Sequence, residues 1–159
     1  MKKFYSILSV ALAFSMLALT TSCKDDDDDV NKTALLTAKK WSITKHEIEF
    51  QGEKEDAGDV DECDANSYST FSAEKVYTAV YSCNGTDKDE VTGTWEWKNG
   101  EKSLSWTENW GADGIDTEEY ELVSISASSL VLKQKNEDFS LEVDGKTYFA
   151  YDYYTLTGK

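Results

Sequence analysis

Residues 90–106, EVTGTWEWKNGEKSLSW, alternate oily and polar side chains on both sides of Asn99-Gly100. A strict period of two is the signature of a half-buried strand, because successive side chains of a strand point to opposite faces. Asn-Gly between two such runs is the strongest short-range hairpin signal, since both residues accept positive φ. If the turn is a tight two-residue one, Trp95 is expected opposite Leu104 and Gly93 opposite Trp106. Val91, Gly93, Trp95, Trp97, Leu104 and Trp106 then share a dry face. Thr92, Thr94, Glu96, Lys98, Ser103 and Ser105 share a wet one.

The same rhythm runs through most of the chain. Strands are expected in CDANSYSTFS, KVYTAVYSC, TEEYELVSI, SLVLKQK, FSLEV and KTYFAYDYYTL. Asp144-Gly145 predicts a second hairpin, with Leu141 opposite Tyr148 and Phe139 opposite Ala150. Trp41 and Ile43 differ in parity from Ile48 and Phe50, so a bulge is expected near residues 45–47. Residues 51–62 read as a long polar loop, and residues 31–38 as a short helix or turn. A meander of this length would leave open edges that invite aggregation. The expectation is an all-β fold: an antiparallel up-and-down β-barrel of about eight strands, whose interior holds side chains or one small ligand. The last strand is aromatic on both faces, with Tyr148 and Tyr154 on one side and Phe149, Tyr151 and Tyr153 on the other. Its outer face needs a cover, from the Leu35-Leu36 segment or from a partner protein.

Charge excludes some functions. The 159 residues carry Asp+Glu 31 against Lys+Arg 16, a net charge of -15, and every base is a lysine. Nucleic-acid binding is not expected, because phosphate and base recognition rest on basic side chains with arginine foremost. With one histidine, His46, no Ser/His/Asp set and no zinc site can be assembled. No glycine-rich phosphate loop is present. The acidic stretches 59–64 and 87–90 lack the spacing of a calcium loop and read as solvated edges. No catalytic residue, metal or cofactor is expected, and the chain is not expected to be an enzyme. His46 reads as a surface histidine.

At the N-terminus, a basic Met1-Lys2-Lys3 precedes the apolar run ILSVALAFSMLAL, which is too short to span a bilayer. Thr20-Thr21-Ser22 then lead to Cys23 and KDDDDD. This resembles a bacterial lipoprotein signal, in which Cys23 becomes the lipidated first residue, although Thr20 stands where a leucine is usual. CKDDDDD also resembles the export tag of surface lipoproteins in one group of Gram-negative bacteria. The resemblance implies a leader over 1–22, a lipidated Cys23 with an acidic linker over 23–32, and a barrel over 33–159. It further implies a membrane anchor through Cys23 and an outer-membrane, cell-surface location. Cys63 and Cys83 remain, an even number in an oxidising compartment, and a disulfide is expected between them.

Leu36 and Trp41 at the start of the first strand, Cys63 with Phe71, Cys83, Gly93-x-Trp95, Tyr120-x-Leu122 and Leu130-x-Leu132 together resemble the lipocalin-like (calycin-type) domain of many Gram-negative surface lipoproteins. The resemblance implies a small barrel with an inward apolar cavity, and says little about chemistry. True lipocalins carry Gly-x-Trp on the first strand, with an arginine packing on the Trp. Here Lys39-Lys40-Trp41 has no such glycine. Trp41 is expected to plug the barrel base. Trp95, Trp97, Trp106 and Tyr120 are candidates for lining a ligand site, with core filling as the plainer alternative. The expected partner is a small apolar or amphipathic molecule. The rival reading is a cell-surface glycan-binding or assembly subunit using Trp110, Tyr151 and Tyr153 as exposed platforms.

Overall fold

A computed structural model describes residues 31–159. The leader, the acidic run and the anchor expected at Cys23 lie outside the described residues. Helix α1 (Lys32–Thr37) starts where the Asn31 side chain accepts from the Ala34 N–H, a standard N-cap. Nine strands follow: β1 (Lys40–Phe50), β2 (Glu53–Asp56), β3 (Tyr68–Phe71), β4 (Val76–Tyr81), β5 (Asp89–Lys98), β6 (Ser103–Asn109), β7 (Ile115–Ile125), β8 (Ser129–Val143) and β9 (Lys146–Gly158). Every pairing is antiparallel. From β3 to β9 each strand neighbours the next, and β1 pairs with both β3 and β9, which closes an eight-stranded ring. The ninth strand, β2, folds back on the upper half of β1.

The expected loop over 51–62 therefore holds a strand and the start of a helix. Gln51 and Gly52 both take positive φ, which folds the chain back so that Phe50 pairs with Glu53. β2 is wholly exposed, so it carries no oily rhythm. Helix α2 (Glu62–Asn66) takes the start of the stretch expected to be strand. Asp61 caps it by accepting from the Asp64 N–H at 2.8 Å. β1 and β3 share only the pairs Lys40–Thr70 and Trp41–Ser69, then part. α2 packs against β1 and β4. The disulfide between Cys63 and Cys83 ties it to the end of β4.

The first hairpin differs from expectation by two residues. Trp95 pairs with Trp106 and Trp97 with Leu104, because the loop is Asn99–Lys102 with Asn99, Gly100 and Glu101 all at positive φ. A slip of two preserves every side chain's face, so the dry face is retained. Gly93 pairs with Tyr77 of β4, not with Trp106. A Cβ on Gly93 would run into the Thr107 backbone carbonyl, so glycine lets β5 and β6 approach closely there. In the second hairpin Leu141 does face Tyr148, but a bulge between Lys135 and Ser140 breaks the Phe139–Ala150 pair. Ala150 pairs with Phe50 instead. The bulge in β1 falls between Ile43 and Lys45, one to two residues earlier than expected.

The core sits at the end of the barrel where α1 lies. Leu36, Trp41, Phe71, Trp95, Leu104 and Leu130 are all buried there. Leu36 is thus the base of the interior, not the cover of β9. The outer face of β9 is covered by lysine stems: Lys54 and Lys133 lie over Tyr153, and Lys135 over Phe149. A lysine can lay its methylenes and its charge on a ring while its head stays wet.

Candidate functional site

Above the core the barrel holds a cavity of about 370 Å³. Its floor includes Trp41, Phe71 and Leu130, and its upper wall includes Asp64, Tyr81, Glu108 and Glu118. One flank is a run of touching rings. Trp106 stacks between Tyr77 at 5.4 Å and Tyr120 at 4.7 Å, and Tyr120 meets Tyr154 edge-on. The run exists because inward-facing positions on β4, β6, β7 and β9 are aromatic and long enough to touch across the barrel interior.

The four sequence candidates for ligand lining divide into two groups. Trp106 and Tyr120 line the cavity. Trp95 and Trp97 lie among the packed residues at the base, and each spends its indole N–H there. Trp95 donates to the Ser72 carbonyl at 2.8 Å and Trp97 to Thr33 Oγ1 at 3.0 Å. Trp41 also donates downward, to the Leu36 carbonyl at 2.9 Å, while its ring forms part of the cavity floor. The Trp106 N–H alone among these four is buried with no acceptor. A buried donor left unmatched costs about 1–3 kcal/mol.

Three acidic residues at the upper end were not singled out by sequence. Glu108 is only 9% exposed, yet continues the inward parity of Leu104 and Trp106. Its carboxylate accepts from the Tyr77 hydroxyl at 3.0 Å and from the Tyr81 hydroxyl at 2.8 Å. Glu118 pairs with Trp106 across the strands and accepts from Gln134 Nε2 at 3.0 Å. Asp152 is 8% exposed and bonds His46 Nε2 at 2.8 Å. An acid on the dry parity of a strand was the available signal, hidden among so many other acids.

His46 is therefore not a free surface histidine. The bulge after Ile43 turns it to the side of Tyr154, on which its ring stacks at 4.7 Å. Burial, more than any other cause, raises the phenol pKa values of Tyr77, Tyr81, Tyr120 and Tyr154. For Tyr77 and Tyr81 the neighbouring Glu108 charge pushes the same way. Burial and the Asp61 charge also raise Asp64. Among the described residues no cluster of three or more His, Cys, Asp or Glu side chains could hold a metal ion.

Of the three exposed platforms expected from sequence, Trp110 is exposed, Tyr151 is half-buried and Tyr153 is buried. Tyr153 is only 6% exposed, and its hydroxyl donates to Glu49 at 2.6 Å. Trp110 stacks on Tyr81 at 5.6 Å. Among the other exposed apolar side chains, Phe139, Leu141, Val143 and Tyr148 gather on the β8–β9 hairpin, and Ile115 stands at the start of β7.

A family model described as a lipocalin-like domain matches residues 37–132. The chain belongs to the lipocalin-like family. The matched span covers β1 to the first residues of β8, and so most of the barrel wall. A lipocalin-like protein from Bacteroides uniformis is similar at 15% identity, over 77% of this chain and 98% of that one, with a TM-score of 0.44. A protein from Bacteroides eggerthii is similar at 11% identity, over 77% and 99%, with a TM-score of 0.45. No curated protein matches the chain. In this lipocalin-like barrel, the residues that carried the resemblance in sequence are mostly core. Leu36, Trp41, Phe71, Trp95, Leu130 and Leu132 all belong to the buried cluster.

Proposed function

We propose that this protein is a lipid-anchored, cell-surface lipocalin-like lipoprotein that binds a small amphipathic molecule and catalyses no reaction. The observation that carries the binding reading is the cavity of about 370 Å³, oily at its floor and polar at its upper end. That size lies in the range of small-molecule sites, which are mostly apolar with a few placed polar groups. A barrel of eight strands has an interior wide enough for one small ligand. The anchor reading is supported by Cys23 after an apolar leader and before five aspartates. Two or more acyl chains on one cysteine suffice for stable attachment.

One preparation tests both halves. The protein is purified from membranes of its own host and weighed intact. Under denaturing conditions the mass is expected to be that of a chain starting at Cys23 plus acyl chains. Under native conditions a further small molecule is expected, lost on denaturation. An unmodified chain would overturn the anchor. A native mass equal to the denatured one, with no added apolar probe able to bind, would overturn the ligand.

A further inference from the structure

We propose that the cavity selects a cationic amphiphile, a protonated amine on a ring-sized apolar body, and discriminates against an anion of the same shape. This deepens the binding reading above and rests on it. The sign follows from which charged groups face inward. Asp64, Glu108 and Glu118 line the cavity, and no lysine does. Of the lysines that lie over rings, Lys54, Lys133 and Lys135 cover rings of β9's outer face and Lys75 covers Trp95 at the base. Lys40 lies over Tyr68, a ring of the cavity wall, at 4.3 Å, but does not itself line the cavity. The chain has no other histidine than His46, and that one is held by Asp152.

Three carboxylates around one low-dielectric mouth focus a negative potential along the upper wall. A carboxylate or sulfate head entering there would shed water beside like charges, with no basic side chain to receive it. An ammonium head would instead gain charge-assisted hydrogen bonds. Glu108 has free lone pairs for this, because its two tyrosine donors do not exhaust the four sites of a carboxylate. Glu118 accepts one bond from Gln134 and likewise has capacity left. The body of the ligand would lie below, against Trp106, Tyr120 and the floor at Trp41 and Phe71.

The test uses three probes of one shape and different charge: naphthylmethylamine, naphthalenemethanol and naphthoic acid. Each is titrated into the full chain at neutral pH by calorimetry. The amine is expected to bind tighter than the alcohol by on the order of tenfold, and the acid weaker than both. The amine's advantage is expected to shrink as salt rises. Glu118→Gln and Glu108→Gln are each expected to weaken the amine more than the alcohol, so that the amine's advantage shrinks towards none. Glu118→Gln is the safer variant, since its amide still accepts from Gln134. Naphthoic acid binding as tightly as the amine would overturn the charge selection and leave ligand binding standing. So would an amine advantage that survives both variants. Failure of all three probes would remove the ligand reading together with its charge preference.

Discussion

The two ends of the barrel are built from the same residue types and do different work with them. At the base, each interior indole is committed: Trp41, Trp95 and Trp97 donate to Leu36, Ser72 and Thr33, which lock α1 and the β3–β4 turn onto the core. At the mouth, Trp106 holds an unspent donor, the tyrosine hydroxyls turn to Glu108, and space remains. Aromatic rings stabilise most when their polar handles are matched. The base is therefore where the sequence secures the fold. The mouth is where it gives up packing for a cavity with charge in its wall.

The largest effect that sharpens this contrast is alkaline unfolding. Tyr77, Tyr81, Tyr120 and Tyr154, all lining the cavity, have pKa values raised chiefly by burial. In the unfolded chain such phenols ionise near pH 10, while the folded barrel keeps them protonated to higher pH. The stability they contribute is whole below about pH 10 and is lost as pH rises through the folded values. Each phenol protonated only in the folded state costs about 1.4 kcal/mol per pH unit in that window. The partly solvated Tyr81 and Tyr154 contribute less than Tyr77 and Tyr120. Near-ultraviolet phenolate absorbance and far-ultraviolet circular dichroism are expected to change together above about pH 10. Phenols that titrate there with the barrel intact would mean a mouth far wetter than its packing indicates.

Next in size is the base itself. Trp41 is 1% exposed and bridges α1 to the cavity floor. Trp41→Ala is expected to cost about 4 kcal/mol in urea or thermal unfolding, through lost burial and the void left behind. A loss below about 1 kcal/mol, the scale of a surface change, would deny the base its role.

Much of this contrast was legible in the sequence, and the illegible parts have definite causes. Period two placed Trp95, Leu104 and Trp106 on the dry face even though the turn was read two residues short, because an even slip leaves faces unchanged. An odd shift is less forgiving. The bulge between Ile43 and Lys45 turned His46 inward, where residue type alone suggested the surface. β2 escaped notice because EKED is exposed throughout and has no oily rhythm to read. The cover of β9's outer face was sought among apolar residues, yet lysines supply it. The mouth was hardest. Glu108 and Glu118 differ from the other acids only in parity, and parity marks a site only when the cavity behind it is known.

The smallest of the three effects separates the ends most cleanly. The Cys63–Cys83 bridge encloses a separation of 20 residues, which corresponds to roughly 3 kcal/mol of loop-closure stabilisation. It acts at the mouth. Ser67, which ends α2, donates its hydroxyl to the Cys63 carbonyl at 2.6 Å and accepts from the Ser82 N–H at 3.0 Å, beside Cys83. The bridge and these bonds together hold α2 where β1 and β3 part. Replacing both cysteines with serine is expected to lower global stability by about that amount or somewhat less. Amide exchange is expected to quicken in 61–68 and 81–89 well before it does in α1 or the first turn of β1, because local openings follow local packing. Protection lost evenly across both ends would mean that base and mouth unfold as one unit. The division of labour between them would then be one of chemistry alone, with no difference in local stability.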